Sequence, residues 1–256
     1  VAALARKKTA FWYAVWKGSF KLRVATWLAD RIVTSVPQAF PIASSKIVAV
    51  GQGVDTEQFS MALQAATEGV LFLGRISPVK HIELLLQACA FIRERAPVVF
   101  AHVRITIAGA PTSDIDRDYE CWLVQLANTL QLQNTIQWLG RVPHSQASNL
   151  YHRHQLFVNM TPTGSFDKTM LEAMASGCIA IASNQALTPF LDEDVRRFCI
   201  FPEGNSEDLA LRMIKLMTVP EETRAVVRQA QRAVIIEHHS RQRLAERLFD
   251  ALQTIS

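Results

Sequence analysis

From residue 70 onward, short apolar runs alternate with stretches of helical spacing, and this alternation constrains the fold more than any other feature. The runs at 70–73, 103–108, 135–139, 156–158, 179–182 and 199–201 are continuous or nearly so, as expected for strands covered on both faces. Helix candidates lie between them at 81–95, 119–130, 145–152, 168–176 and 206–217. In the first of these, Leu84, Leu85, Ala88 and Ile92 recur at helical spacing. Six strands alternating with helices predict an α/β fold: a doubly wound, mostly parallel, Rossmann-like sheet with helices on both faces. In such a sheet a ligand sits beyond the carboxyl ends of the strands, where loops enter helices. Residues 220–256 continue as a long polar-faced helical pattern with a break near 238–240. Residues 36–45, with Pro37 and Pro41, read as a hinge between an N-terminal helical piece and the α/β unit. A Gly51-Gln52-Gly53 turn follows.

Composition removes several alternatives. With 256 residues, 49% hydrophobic and 20% charged, the chain can bury a sizeable core and is not intrinsically disordered. No apolar run reaches the roughly 18 residues that span a bilayer, and a secretory leader fits the first residues poorly. Cys89, Cys121, Cys178 and Cys199 are scattered, which predicts reduced thiols in a cytoplasmic compartment. The formal charge of +4 is unevenly placed: 1–29 holds Arg6, Lys7, Lys8, Lys17, Lys21 and Arg23 and no acid. Without those six, 21 basic residues face 23 acidic ones, so the charge is local and not a nucleic-acid footprint.

Four loops at one predicted sheet edge carry the candidate chemistry. Gly74-Arg75-Ile76-Ser77-Pro78-Val79-Lys80 follows the run 70–73. A glycine and two cations at the entrance of a helix make an anion site, or else a solvated loop. Thr161-Pro162-Thr163-Gly164-Ser165-Phe166-Asp167-Lys168-Thr169 follows 156–158 and opens a helix containing Glu172. Asp167 or Ser165 can cap that helix. Lys168 in its first turn opposes the dipole, with Glu172 at i+4 in the weaker order, and a bound anion would resolve this conflict. A plain surface Lys–Glu pair is the alternative. Gly109-Ala110-Pro111 and Gly140-Arg141-Val142 supply the other two loops. His152-x-His154 has the wrong spacing for two ligands on one helix face, and His238-His239 lies in the terminal helix, so no metal site is expected. No P-loop, G-x-G-x-x-G or G-x-S-x-G pattern occurs.

Taken together, the residues resemble the C-terminal donor-binding domain of retaining, nucleotide-sugar-dependent glycosyltransferases of the GT-B type, group 1 or family 4. Lys46-Ile47-Val48-Ala49-Val50-Gly51-Gln52-Gly53-Val54-Asp55 resembles that family's linker. Phe72-Leu73-Gly74-Arg75 with Lys80 resembles its phosphate loop, and Leu171-Glu172-Ala173-Met174-Ala175-Ser176-Gly177 its "LEAMA-x-G" helix. The resemblance implies that Arg75 and Lys80 hold the donor diphosphate and stabilise the charge that develops as it leaves. It implies that Glu172 accepts from the ribose hydroxyls and that Arg141 and Val142 lie near the base. Gly74, Gly164, Ser165, Phe166, Asp167, Lys168 and Thr169 complete the expected donor site. No cofactor or metal is implied. The family's first glutamate is Gly164 here, and its usual glycine is Asp167.

The expected organisation is the helical tail of an acceptor domain at 1–45, a linker at 46–69, a donor domain at 70–219 and a helical segment at 220–256. The expected activity is transfer of a sugar from a nucleoside-diphosphate sugar to a hydroxyl acceptor with retention, in glycan, polysaccharide or glycolipid synthesis. A non-catalytic nucleotide-sugar-binding module and a sugar-nucleotide epimerase of the same fold are the alternatives. Trp12, Trp16, Phe20, Val24 and Leu28 recur every four residues, with Phe11 and Val15 alongside. They read either as a helix packed on an acceptor domain or as peripheral membrane contact through 6–28, at the inner face and suited to a lipid-linked acceptor.

Overall fold

A computed structural model describes residues 7–14, 17–61, 68–164 and 166–253. Arg6, Val15, Trp16 and Ser165, all named above, lie outside the described residues. The chain builds two parallel sheets. The smaller contains β1 (Ala10–Trp12), β2 (Arg31–Thr34) and β3 (Ile47–Ala49), in that order, with α1 (Phe20–Leu28) between the first two. The 1–45 segment is therefore not simply helical. Ser19 interrupts the four-residue recurrence and caps α1, its Oγ accepting from Leu22 N at 3.1 Å. Trp12 lies in the strand ahead of it. Residues 36–45 touch both units: Phe40 packs with Leu22 and Ile32 in the small sheet's cluster, while Val36 and Ala39 join the larger core, and the chain returns through β3 before it leaves the small sheet after Val50.

The larger sheet begins at β4 (Glu68–Leu73) and continues through α2 (Glu83–Arg95), α3 (Pro97–Phe100), β5 (Ile105–Ala108), α4 (Asp114–Thr129) and β6 (Ile136–Gly140). It then crosses by α5 (Ala147–Arg153) to β7 (His154–Asn159), α6 (Lys168–Ala175) and β8 (Ile179–Ala182). All pairings are parallel and the order is β6-β5-β4-β7-β8. Right-handed crossovers put α2 and α4 on one face and α5 and α6 on the other. The strands are apolar because both faces are covered: every residue of β5 and β8 is buried. The order reverses between β4 and β7, so their carboxyl ends open a crevice.

The expected sixth strand reduces to a single bridge. α7 (Glu193–Cys199) runs up to the first residue of that stretch, with Glu193 and Asp194 in its first turn and Arg196 and Arg197 in its last, the charge order a helix dipole favours. Only Ile200 pairs, parallel to Ala182.

α8 (Ser206–Thr218) packs on α2, and α9 (Glu221–Val234) on α6. The terminal pattern breaks where expected: a π-helical turn at Ile235–His239 precedes α10 (Arg241–Gln253). α10 returns to the small sheet and contacts β2. Among the described residues, no helix is long and apolar enough to cross a membrane.

Candidate donor site

The loops after β4, β5 and β6 and the start of α6 surround one cavity of about 310 Å³ at the carboxyl edge of the larger sheet. Its lining includes Gly74, Arg75, Gly109, Arg141, Val142, His144, Thr169 and Glu172. The close fit of two loops explains one glycine. Gly109 has φ +154°, and a Cβ there would fall 1.8 Å from the Gly74 carbonyl oxygen, so a side chain is excluded. Gly74 N donates to Ala108 O at 3.0 Å, and Gly109 N to Gly140 O at 2.8 Å.

Charge is distributed unequally around the cavity. Arg75 is exposed and makes no hydrogen bond or ion pair among the described residues. Its field reaches Asp116. Burial would raise that carboxyl, but hydrogen bonds from Thr112 and Ser113 together with Arg75 hold it below the usual range. Lys80, in contrast, is paired with Asp167. The Asp167 Oδ2 also accepts from Asn159 Nδ2 at 2.9 Å and Thr161 Oγ1 at 3.3 Å, and Oδ1 from Thr169 Oγ1 at 3.0 Å. Burial opposes ionisation of Asp167, yet the Lys80 charge and these donors outweigh it and lower its pKa.

This corrects the expected cap. Asp167 occupies the N-cap position of α6, but its side chain makes no cap hydrogen bond. The carboxylate is spent on Lys80, Asn159, Thr161 and Thr169. Among the described residues α6 begins without a side-chain cap, and first-turn N–H groups of a helix are groups that an anion can bind.

Glu172 lies one turn further on and is 1% exposed. Its Oε1 is 3.0 Å from His144 Nε2 and 3.9 Å from Lys168 Nζ, and its Oε2 accepts from Tyr151 Oη at 3.4 Å. Burial, with the Glu172 charge beside it, pushes the Tyr151 hydroxyl well up, so it remains a donor. A carboxylate held this way on a cavity wall can accept hydrogen bonds from ligand hydroxyls.

The structure thus gathers Gly74, Arg75, Arg141, Val142, Thr169 and Glu172 around one cavity, with Lys80 and Asp167 bound to each other beside it. Lys168 is half exposed next to Glu172. Phe166 points its ring inward, 4.7 Å from the ring of His239 and 6.4 Å from that of Phe190, so only its backbone could face a ligand. Gly164 has φ +153° with no atom within 4 Å of a Cβ position; the space is open, though a side chain would be strained there. His144, Tyr151 and Asn159 are additions that sequence reading missed, and Thr161, named there only as the start of the candidate loop, gains a partner in Asp167. His144 follows Val142 by two residues in the same loop, the one local signal available. His152 and His154 lie elsewhere, bonded to Ser60 O at 2.7 Å and to Thr106 Oγ1 at 2.8 Å. Among the described residues no group of three metal-ligating side chains converges.

Comparison with known proteins gives the family. The family "Glycosyl transferases group 1" matches residues 54–252. A D-inositol 3-phosphate glycosyltransferase from Saccharomonospora viridis is 26% identical over 222 residues, 80% of this chain and 51% of that protein. The chain spans about half the length, or less, of the curated relatives it matches. Among solved structures, Anabaena Alr3699/HepE in complex with UDP superposes with a TM-score of 0.82 at 18% identity, covering 99% of this chain and 74% of that one. The C-terminal domain of the group 1 glycosyl transferase LpcC from Francisella tularensis gives 0.63 at 20% identity, covering 73% of this chain and 99% of that domain. The fold is the α/β sheet expected from the strand pattern and the GT-B type that the resemblance implies, and the chain belongs to the group 1 glycosyl transferases.

Proposed function

We propose that this chain is the donor-binding part of a retaining glycosyltransferase, which moves a sugar from a nucleoside-diphosphate sugar to a hydroxyl acceptor in glycan, polysaccharide or glycolipid synthesis. The observation that carries the reading is one crevice that brings together Arg75, without a hydrogen bond or ion pair among the described residues, the start of α6, where Asp167 makes no cap bond, and the buried Glu172 carboxylate. A diphosphate binds the first two and ribose hydroxyls bind the third. The base lies against Arg141 and Val142. As the glycosidic bond breaks, negative charge grows on the departing diphosphate, and Arg75 and Lys80 stabilise it with the α6 N-terminus. Residues 70–219 form the donor domain, while the small sheet is the end of an acceptor domain. The relatives' names support sugar transfer, and HepE was solved with UDP.

Phe20 and Trp27, 80% and 77% exposed on α1, are the face on which further acceptor-domain chain packs. A cytoplasmic enzyme resting on the inner membrane face through Lys17, Lys21 and Arg23, with a lipid-linked acceptor, is the second reading of the same surface. Co-sedimentation with anionic vesicles supports the second reading, and indifference to lipid charge supports the first.

The donor reading is tested by thermal shift with UDP, GDP, ADP and their sugar conjugates. A ligand at about 100 times its Kd stabilises by about 2.7 kcal/mol. The expected result is a shift with one nucleotide that Arg75→Ala or Glu172→Ala abolishes. No shift with any nucleotide sinks the reading.

A further inference from the structure

Lys80 and Asp167 are 87 positions apart, yet they join the two loops that flank the crevice where strand order reverses. Lys80 arrives from β4 and Asp167 from β7, and both are largely buried, with side chains 17% and 14% exposed. The carboxylate is not a casual surface partner. Both its oxygens are engaged, by Asn159 at the end of β7, by Thr161 in the loop and by Thr169 on α6. It is therefore fixed to the ends of two regular elements before Lys80 is considered. A lysine on a loop otherwise spends its rotamer freedom on finding an anion. Here the ammonium has three protons: Asp167 takes one and Thr161 Oγ1, at 3.4 Å, a second. The third keeps a direction set by the other two.

We infer that Asp167 is a positioning residue: it holds the Lys80 ammonium with one proton directed to a ligand phosphate and locks the β4 and β7 loops across the crevice. The inference rests on the donor reading above and deepens it. The division of labour is with Arg75, which makes no hydrogen bond or ion pair among the described residues and feels the field of Asp116.

The experiment is calorimetric titration of the chain with UDP, GDP and ADP, then with the monophosphate of whichever base binds. The variants are Asp167→Asn, which keeps the shape, Asp167→Ala, Lys80→Ala and the double variant, each checked for a parent-like thermal melt. Loss of a hydrogen bond to a charged group predicts that both Asp167 variants weaken the diphosphate by about tenfold or more. The monophosphate should change little, because the inference puts Lys80 at the phosphate farther from the base. Lys80→Ala with Asp167→Ala should bind no worse than Lys80→Ala alone, since residues acting as a unit are not additive. Equal losses for both nucleotides, or additive losses in the double variant, would make Asp167 merely structural and overturn the inference. Tighter diphosphate binding by Asp167→Asn would overturn it too, by showing that the carboxylate competes with the ligand. A parent chain that binds no nucleotide overturns the donor reading and the inference together, and so differs from failure of the inference alone.

Discussion

The two sheets share a parallel plan and differ in how they are covered. In the larger one, helices lie on both faces and a continuous core runs beneath the strands, with Leu71, Leu85, Phe157 and Ile181 fully buried. In the smaller one, the buried cluster among the described residues is Leu22, Ile32 and Phe40, and Phe20 and Trp27 face solvent. A parallel sheet needs cover on both sides. The larger sheet supplies that cover from its own crossovers, while the smaller relies on α1 and on α10 returning from the far end of the chain. The first can hold a binding edge rigid by itself; the second depends on its neighbours.

The comparison is most open to challenge in the core. Leu71→Ala in the central strand should cost about 3–5 kcal/mol in chemical denaturation, through lost burial and a cavity that cannot collapse. Ile32→Ala should instead speed amide exchange at 31–34 and leave protection in β4 and β5 unchanged. If both variants loosened both sheets equally, the distinction would fail.

A second challenge lies where the sheets meet. His239 is 1% exposed, packed against Phe166 and Phe190; burial, with lesser contributions from His238 and Arg247, lowers its pKa from 6.5 to about 3. Between those values the unfolded chain binds a proton that the folded chain does not, so stability is full above pH 6.5 and falls as pH drops toward 3. The contribution is on the order of a few kcal/mol. His239→Phe should flatten this part of the stability–pH curve; an unchanged acid limb would show that the junction is open to water.

Smaller effects sharpen the contrast. Lys168→Ala should weaken nucleotide binding about two- to fivefold, the size of a partly exposed charge at a helix end, and leave the melt alone. Unchanged affinity would remove Lys168 from the site. Trp27→Ser should shift stability by no more than about 0.5 kcal/mol, since the ring packs on little. A large loss would mean that the small sheet is better covered than its solvent exposure indicates.

These differences also decide what could be read in advance. The five strands of the larger sheet are legible because burial on both faces forces uninterrupted apolar runs, and their loops share one edge because parallel strands leave no other arrangement. β1 is not legible. Phe11 and Trp12 continue a four-residue aromatic recurrence, and only Gly18-Ser19 shows where a helix can start. The sixth run, 199–201, is apolar enough for a strand, but the charges of Glu193, Asp194, Arg196 and Arg197 just before it favour a helix. In the site, Arg75, Lys80 and Glu172 stand out locally by loop position and by resemblance. The bond between Lys80 and Asp167, and the contact of His144 with Glu172, have no local signal, because each depends on strand order bringing distant loops together.

The chain passes between the sheets twice, once after Val50 and once before Arg241, and the two passages lie side by side. Val54 N donates to His239 O at 2.8 Å, and Arg241 N donates back to Val54 O at 3.0 Å. Two tethers knotted at one point behave mechanically as a single pivot. The small sheet can turn about that knot by twisting the two short connections, whereas sliding past the large sheet must break both bonds at once. The ring of His239 at the knot rests on Phe166, the residue before Asp167, so a torque on the small sheet is delivered to the foot of the loop that grips Lys80.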